Sequence, residues 1–541
     1  MPSPALPNNV DAVVVGGGHN GLVAAAYLAR AGASVALFER REIVGGAAVT
    51  EEIVPGFKFS RAAYVNSLLR PEIIRELNLK SHGFEMLPRN PSSFTPCLDG
   101  RWLLLGPDPD LNHREISKFS AKDAAALPRY EALLEKAARF VEPLLDAPPP
   151  DLAAPRFRDR AASMAALAKV AFSALKLGRD LPSLLEILTA PARKILERWF
   201  ESEPLRGTLA TDSIIGAMAS PSTPGSGYVL FHHVMGETDG ARGVWGYVRG
   251  GMGQLTSAIA AAAAGAGAHV FPRRPVAQIV VEGGRAAGVE LEDGSVVRAR
   301  VVLSCADPQV TFLRLLDSSA LPDAFRAHIQ ALDFSSAVTK INVALDRLPS
   351  FRCLPGHDAG PQHRGTVHIV STLDEIEGAY RDACAGKESE RPVIEMTLPS
   401  SLDNSLAPPG KHVASLFVQY TPYRLAAGSW EEPGRKEAFA DRVFRVIEEY
   451  APGFTASVIA RDVLSPLDLE RVFGLTGGNI FHGSMGLDQL FWLRPAAGYA
   501  RYRTPVEGLY LCGAGAHPGG GVLGAPGRNA ARVVLSDLGV A

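Results

Sequence analysis

DAVVVGGGHNGLVAAAYLARAGASVALFE, residues 11–39, decides the fold. Asp11 to Val15 is an apolar run of strand length, Leu22 to Ala31 is alanine-rich and helical, and Ser34 to Glu39 reads as a second strand. Strands apolar throughout are buried on both faces, as inside a parallel sheet sandwiched by helices. Between the first strand and the helix stands Gly16-Gly17-Gly18-His19-Asn20-Gly21, a G-x-G-x-x-G turn. Gly16 permits the tight bend, Gly18 lets a diphosphate approach the backbone, and Gly21 lets the helix pack closely on the strand. The helix that starts there offers free N–H groups and a positive dipole end to those phosphates, and Asn20 in the turn before it is a candidate cofactor contact. Glu39 closes the second strand, where a carboxylate accepts hydrogen bonds from a ribose diol and repels a 2′-phosphate. The unit therefore suits FAD or NAD and disfavours NADP.

The remainder of the chain points to FAD. Arg40-Arg41 and Gly45-Gly46-Ala47 follow at once, a second glycine turn suited to close cofactor contact. Gly250-Gly251-Met252-Gly253 precedes an alanine-rich helix, Leu255 to Ala264, and Val276 to Glu282 and Ala287 to Glu292 alternate like strands around Gly283-Gly284, a hairpin signal. Another buried-type strand, Val301 to Ser304, ends at Cys305-Ala306-Asp307-Pro308. The last strand, Gly508 to Cys512, opens into a glycine-dense run, Gly513 to Gly521, then Val522 and a helix from Arg528. Such a run brings backbone next to something flat and large, and a helix N-terminus there stabilises negative charge on a reduced flavin. A second dinucleotide fingerprint is absent, so a dedicated nicotinamide site is not indicated.

The fold class expected is α/β: a Rossmann-type FAD-binding domain assembled from separated segments, residues 1–71, 244–308 and 495–541, with an α+β substrate domain built from two long insertions, 72–243 and 309–494. A helical insertion is expected at about 150–215, and strands at Val338 to Ala344 and Val413 to Tyr420 precede a helix, Glu437 to Tyr450. With 541 residues, 47% hydrophobic and 21% charged, the composition is that of a soluble globular protein. A net charge of −2 argues against nucleic acid as a partner. Cys97, Cys305, Cys353, Cys384 and Cys512 are widely spaced without a CxxC, which disfavours a disulfide scaffold, a zinc ribbon or redox disulfide chemistry, and no metal is expected. Neither a leader at the N-terminus nor a run of about 18 apolar residues is apparent. The expected location is cytoplasmic for a bacterial-type chain, or the mitochondrial matrix for a processed eukaryotic form.

Gly16 to Gly21, Glu39, Gly45-Gly46, Gly250 to Gly253, Leu303 to Pro308 and Gly513 to Gly527 together resemble the phytoene desaturase and carotenoid isomerase branch of the flavin amine oxidase superfamily. The resemblance extends over nearly the whole chain. It implies an FAD cofactor, an apolar substrate near the flavin ring, adenine contact through the backbone of Val276, and a flavin lying along Gly513 to Val522, including Ala514 and Gly521. It also implies a possible respiratory-chain partner.

Flavin accepts hydride itself while the protein positions the donor carbon and excludes water, so an acid or base need not be present. The candidates are nonetheless His232 and His233, which titrate near neutral pH, and His517 within the terminal glycine run. Adjacent histidines also serve as plain hydrogen-bonding residues, and His517 as a turn-stabilising one. Glu395 and Tyr420 sit on strand-like runs, where ordinary cross-strand roles compete with a place in a pocket. Met164 to Leu177 has apolar residues at helical spacing beside Lys169 and Lys176. Packing on its own domain is the favoured reading, and peripheral contact with a membrane the alternative. The function expected is FAD-dependent dehydrogenation or desaturation of an apolar, isoprenoid or lipid-like substrate. Flavin-dependent isomerisation without net oxidation, amine oxidation, and a regulatory role beside respiratory-chain components are the competing readings.

Overall fold

The computed structural model describes residues 5–238, 241–370 and 372–540. Asn9–Val15 lies inside a seven-stranded sheet, parallel to Val35–Phe38 on one side and to Val296–Ser304 on the other. His269–Phe271 extends the sheet in parallel beyond Val35–Phe38, and Leu509–Leu511 joins in parallel to Val296–Ser304. Parallel neighbours need crossover connections, and here three remote parts of the chain supply the strands. Val276–Glu282 and Arg285–Leu291 form an antiparallel hairpin on the Val296–Ser304 side. Its turn, Gly283-Gly284, has φ of +57° and +77°, a conformation that a two-residue hairpin loop favours and that glycine reaches without strain. Ala12 to Val14 and Val35 to Leu37 are fully buried because helices cover the sheet, among them His19–Arg30, Met252–Gly265 and Ala525–Leu538.

A second seven-stranded sheet has the order Val458–Leu464, Val338–Leu345, His412–Gln419, Ile394–Thr397, Thr366–Ile369, Ser93–Pro96, Trp102–Leu105. Its pairs are antiparallel except Thr366–Ile369 with Ser93–Pro96. The two-residue period decides which face each side chain joins. Ile341, Val343, Val367, Ile369, Ile394, Met396, Leu416 and Val418 point to one face, where they pack with Phe439, Val443 and Ile447 of the amphipathic helix Arg435–Tyr450. The alternate residues, Lys340, His368, Glu395 and Phe417, look into a cavity.

Several boundaries differ from the sequence reading. The first helix begins at His19 rather than Leu22, since the last glycines of the fingerprint already belong to its first turn. The terminal helix begins at Ala525 rather than Arg528, because Pro526 is accommodated in a first turn, where its missing N–H costs nothing. The helical insertion divides into Phe157–Leu177, Leu181–Thr189, Ala192–Trp199 and Glu203–Thr211.

Phe157–Leu177 does not bury an apolar stripe, contrary to the favoured expectation. Only Asp159 and Ser163 of its residues are buried. Arg501 and Arg503 hold the Asp159 carboxylate, and Ser163 Oγ accepts the Asp151 N–H at 2.8 Å, so polar anchors fix the N-terminal half. Phe157, Met164, Phe172 and Leu175 are 63–76% exposed. Within Phe157–Thr189 an 18-residue window of mean hydropathy 1.3 is long and apolar enough to cross a membrane by length and composition alone, although no uninterrupted apolar run of that length occurs there.

Candidate functional site

The amides at the start of the first helix are left for a ligand. Gly18 is its N-cap, with an extended backbone and no side-chain cap, so the first-turn N–H groups have no side chain to satisfy them. Nearby, His19 Nε2 and Asn20 Oδ1 are buried without a hydrogen-bond partner. A Cβ at Gly21 would lie 2.2 Å from the Gly16 carbonyl oxygen, and one at Gly527 would lie 2.1 Å from that of Asn20. Backbone contact thus seats the first helix on its strand and the terminal helix against the first. Gly45 donates its N–H to the Gly17 carbonyl at 2.7 Å, and a Cβ on Gly46 would come within 3.1 Å of Gly18 Cα, so the two glycine turns touch.

Glu39 is buried, with Oε2 accepting the Gly17 N–H at 2.8 Å and Oε1 the Arg41 N–H at 2.9 Å. The carboxylate therefore braces the phosphate turn and retains lone pairs for a ribose. Arg40 donates its guanidinium to the carbonyls of Arg471 and Val472 at 3.2 and 2.9 Å, near the C-terminal end of the helix Pro466–Phe473. Its charge suits that end of the helix.

From this turn a cavity of about 1240 Å³ extends to the second sheet. Gly16, Gly18, Asn20, Glu39, Arg40, Gly46, Ala47, Val276, Ala514, Gly521 and Val522 line it. Gly21, Gly45 and Gly513 do not; they serve close packing, a Cβ on Gly513 meeting the Cys305 carbonyl oxygen at 2.3 Å. Val522 adopts φ +58°, a costly left-handed conformation for a β-branched residue, at the point where the terminal turn meets the cavity. Such strain collects at ligand sites held by the surrounding fold.

The sequence profile of the flavin containing amine oxidoreductase family matches residues 21–535. The chain belongs to that family. It is 55% identical to rat (Rattus norvegicus) pyridine nucleotide-disulfide oxidoreductase domain-containing protein 2, over 98% of this chain and 94% of the relative. The phytoene desaturase (lycopene-forming) of Pseudescherichia vulneris is 26% identical over 97% of this chain and 99% of its own. Among solved structures, cyclohexylamine oxidase from Brevibacterium oxydans IH-35A superposes with a TM-score of 0.56 at 19% identity, covering 98% of this chain and 99% of the other. This flavoprotein is an FAD-dependent oxidoreductase. The uncapped amides, the braced Glu39 and the glycines that a Cβ would obstruct fit the two phosphates and a ribose of that cofactor.

The wall opposite the glycine turns carries groups that composition and motifs did not single out as a set. His368, Glu395, Phe417 and Lys340 stand in register on four adjacent strands, forming one cross-strand row. Tyr64, three residues after Arg61 on the connection that follows the strand Phe57–Ser60, lies against Phe417 with ring centroids 5.6 Å apart and donates its hydroxyl to Glu395 at 3.2 Å. Lys340 Nζ sits 5.1 Å from the Tyr64 ring and donates to Asn342 Oδ1 at 3.0 Å and to Ser415 Oγ. Burial pulls its ammonium down to about 7. Burial pushes Glu395 up, but the hydrogen bond and charge of His368 outweigh it and hold the carboxyl below its ordinary value. The Tyr64 hydroxyl is raised by burial and by Glu395. Glu395, already a candidate pocket residue, and a lysine inside the strand-like run Val338 to Ala344 were the visible signals for this row.

The three candidate histidines separate. His232 and His233 line the cavity from the helix Ser226–Val234. His232 Nε2 lies 3.2 Å from the Gly520 carbonyl and its Nδ1 is unpartnered, while burial lowers it to about 3, so the ring is neutral near pH 7. His233 Nδ1 is 2.8 Å from the Val229 carbonyl, which accepts its proton, and its ring stacks on Trp245. His517 is absent from the cavity wall: its Nε2 is 2.8 Å from the Leu144 carbonyl, a structural hydrogen bond rather than a catalytic placement. Tyr420 also lies outside the wall, its hydroxyl bound to the Ala219 carbonyl at 2.9 Å. Glu395, by contrast, faces the cavity.

Proposed function

We propose that the protein dehydrogenates a largely apolar substrate, of desaturase type, by hydride transfer from carbon to FAD. The observation that carries this reading is the long apolar stretch of the cavity beyond the glycine turns, walled by Leu105, Leu127, Leu134, Leu209, Leu230 and Trp245. Apolar surface taken out of water there contributes about 25 cal/mol per Å² to binding. The likeness to a phytoene desaturase supports the same reading. Bound FAD supplies the hydride acceptor. The chain's own part is to seal the reacting carbon from water with Phe417 and Tyr64, and to hold a proton on Lys340, whose lowered basicity lets it give up or take up that proton near neutral pH. Anaerobic mixing of the yellow protein with isoprenoid hydrocarbons tests this. The expected result is bleaching of the flavin band with formation of a new double bond; bleaching confined to small hydrophilic amines would overturn it.

We also infer that Phe157–Leu177 rests on an anionic membrane surface and faces the substrate's source. Its exposed Phe157, Met164, Phe172 and Leu175 are accompanied by Arg158, Arg160, Lys169, Lys176 and Arg179, none of which makes an ion pair among the described residues. An apolar face rimmed by unpaired cations suits acyl chains beneath acidic headgroups. The same cations would repel across a symmetric dimer of this face.

A further inference from the structure

A cavity shaped for a pure hydrocarbon would be dry throughout, and this one is not. At the His368 end of the cross-strand row the wall gathers Glu395, Asp212, Tyr64 and His233, with Thr211 bound to His368 beside it. Buried polar groups cost free energy unless each finds a hydrogen bond, so the unfinished ones show what a ligand must bring. Thr211 donates its hydroxyl to the Thr208 carbonyl at 2.8 Å, so the 3.1 Å contact between Thr211 Oγ1 and His368 Nδ1 is donated by the imidazole. That places a proton on Nδ1, with Glu395 Oε1 at 3.5 Å beside it, and leaves Nε2 with no hydrogen-bond partner among the described residues. Asp212 likewise makes no hydrogen bond among the described residues. Burial raises its carboxyl, opposed by His233, His368 and Arg89 and assisted by the charge of Glu395.

The guanidinium of this corner is already engaged. The Arg89 guanidinium donates to the Trp245 carbonyl at 3.2 Å and to the Thr366 hydroxyl at 2.6 Å, and lies over the Tyr247 ring. Its charge faces Asp212, and its hydrogen bonds hold it to protein groups. An ammonium head group would meet the Arg89 charge, a carboxylate would meet Glu395, and a hydrocarbon would leave Asp212 and His368 Nε2 unpaired.

We propose that Asp212 and His368, supported by Glu395 and Thr211, form a subsite for a neutral hydrogen-bonding head group, a hydroxyl above all, on an otherwise apolar substrate. This rests on the dehydrogenase reading above and adds the polar end of the substrate to it. A hydroxyl both donates and accepts, so one group can complete Asp212 and His368 Nε2 together.

The test uses the FAD-loaded protein and four ten-carbon isoprenoid probes of one skeleton, namely myrcene, geraniol, geranylamine and geranate, titrated by perturbation of the flavin absorption band. The expected result is that geraniol binds about tenfold more tightly than the other three, the worth of one or two net hydrogen bonds. In Asp212→Leu and His368→Phe the geraniol advantage disappears while myrcene binds as before. Asp212→Asn, which keeps the shape, retains part of it and shows that loss in the leucine variant is not misfolding. Equal binding of myrcene and geraniol, tightest binding by the amine or the acid, or a preference that survives both variants would each overturn the subsite. Binding is read without turnover, so loss of the preference counts against the subsite alone, whereas failure of any apolar compound to bleach the flavin counts against the dehydrogenase reading.

Discussion

Replacing Lys340 with methionine reverses its effect on stability between acid and alkaline pH. Folded Lys340 releases its proton at about 7, whereas an unfolded lysine holds it to about 10.5. Between those values the unfolded chain binds the extra proton, so the stability of the parent rises with pH. Below about pH 7 both states are protonated and the fold carries the full cost of a buried ammonium, about 5 kcal/mol from a shift of about 3.5 units. Methionine removes that cost but strands Asn342 Oδ1 and Ser415 Oγ, which lose a donor, at about 1–3 kcal/mol. At about pH 6 the variant is then more stable than the parent by about 2–4 kcal/mol, and at about pH 10, where about 1 kcal/mol of the burial cost persists, it is less stable by up to about 2 kcal/mol. Urea unfolding of both proteins at saturating FAD across this range measures the difference directly. A difference that stays constant with pH would refute the reasoning, because it would mean that Lys340 keeps an ordinary basicity in the fold.

Gly21→Ala places a methyl 2.2 Å from the Gly16 carbonyl and forces the first helix off its strand, so the protein should purify with a lowered flavin-to-protein absorbance ratio and lose about 1–3 kcal/mol of stability. Glu39→Ala removes the acceptor for the Gly17 and Arg41 amides, and FAD affinity measured by titration calorimetry should fall by about tenfold or more. His517→Ala deletes the bond to the Leu144 carbonyl; it should lower the melting temperature while leaving the rate of flavin reduction by substrate within about twofold. Phe172→Asp with Leu175→Asp, both on the exposed face, should abolish sedimentation with phosphatidylserine vesicles and change stability by no more than about 0.5 kcal/mol.

The nucleotide-binding part was legible because its signals are local. Gly16 to Gly21, the buried run before it and Glu39 after it lie within thirty residues, and each has one physical task that few other residue types perform. The Gly283-Gly284 turn and the strand-like run Val413 to Tyr420, which the strand His412–Gln419 nearly matches, were readable for the same reason. The polar row was not legible as a row. His368, Glu395, Phe417 and Lys340 come from four strands whose order in the sheet is not their order along the chain, and Tyr64 reaches them from a separate loop, so only strand register brings them together. His517 misled because a histidine within a glycine run has no local feature that distinguishes a bond to a remote carbonyl from a place at the cofactor. Met164 to Leu177 misled because periodicity reports that a helix has an apolar side, not that any protein surface covers it; here Asp159 and Ser163 anchor the helix and its apolar residues remain outside.

A crystal structure of the yellow protein as purified tests the central claim most directly. The account places the diphosphate of FAD against the uncapped amides that follow Gly18, its ribose on Glu39, and its ring system between Gly46-Ala47 and Gly521-Val522, facing the row from Lys340 to His368. Electron density for a different molecule in that hollow, or for FAD held elsewhere on the chain, would contradict it.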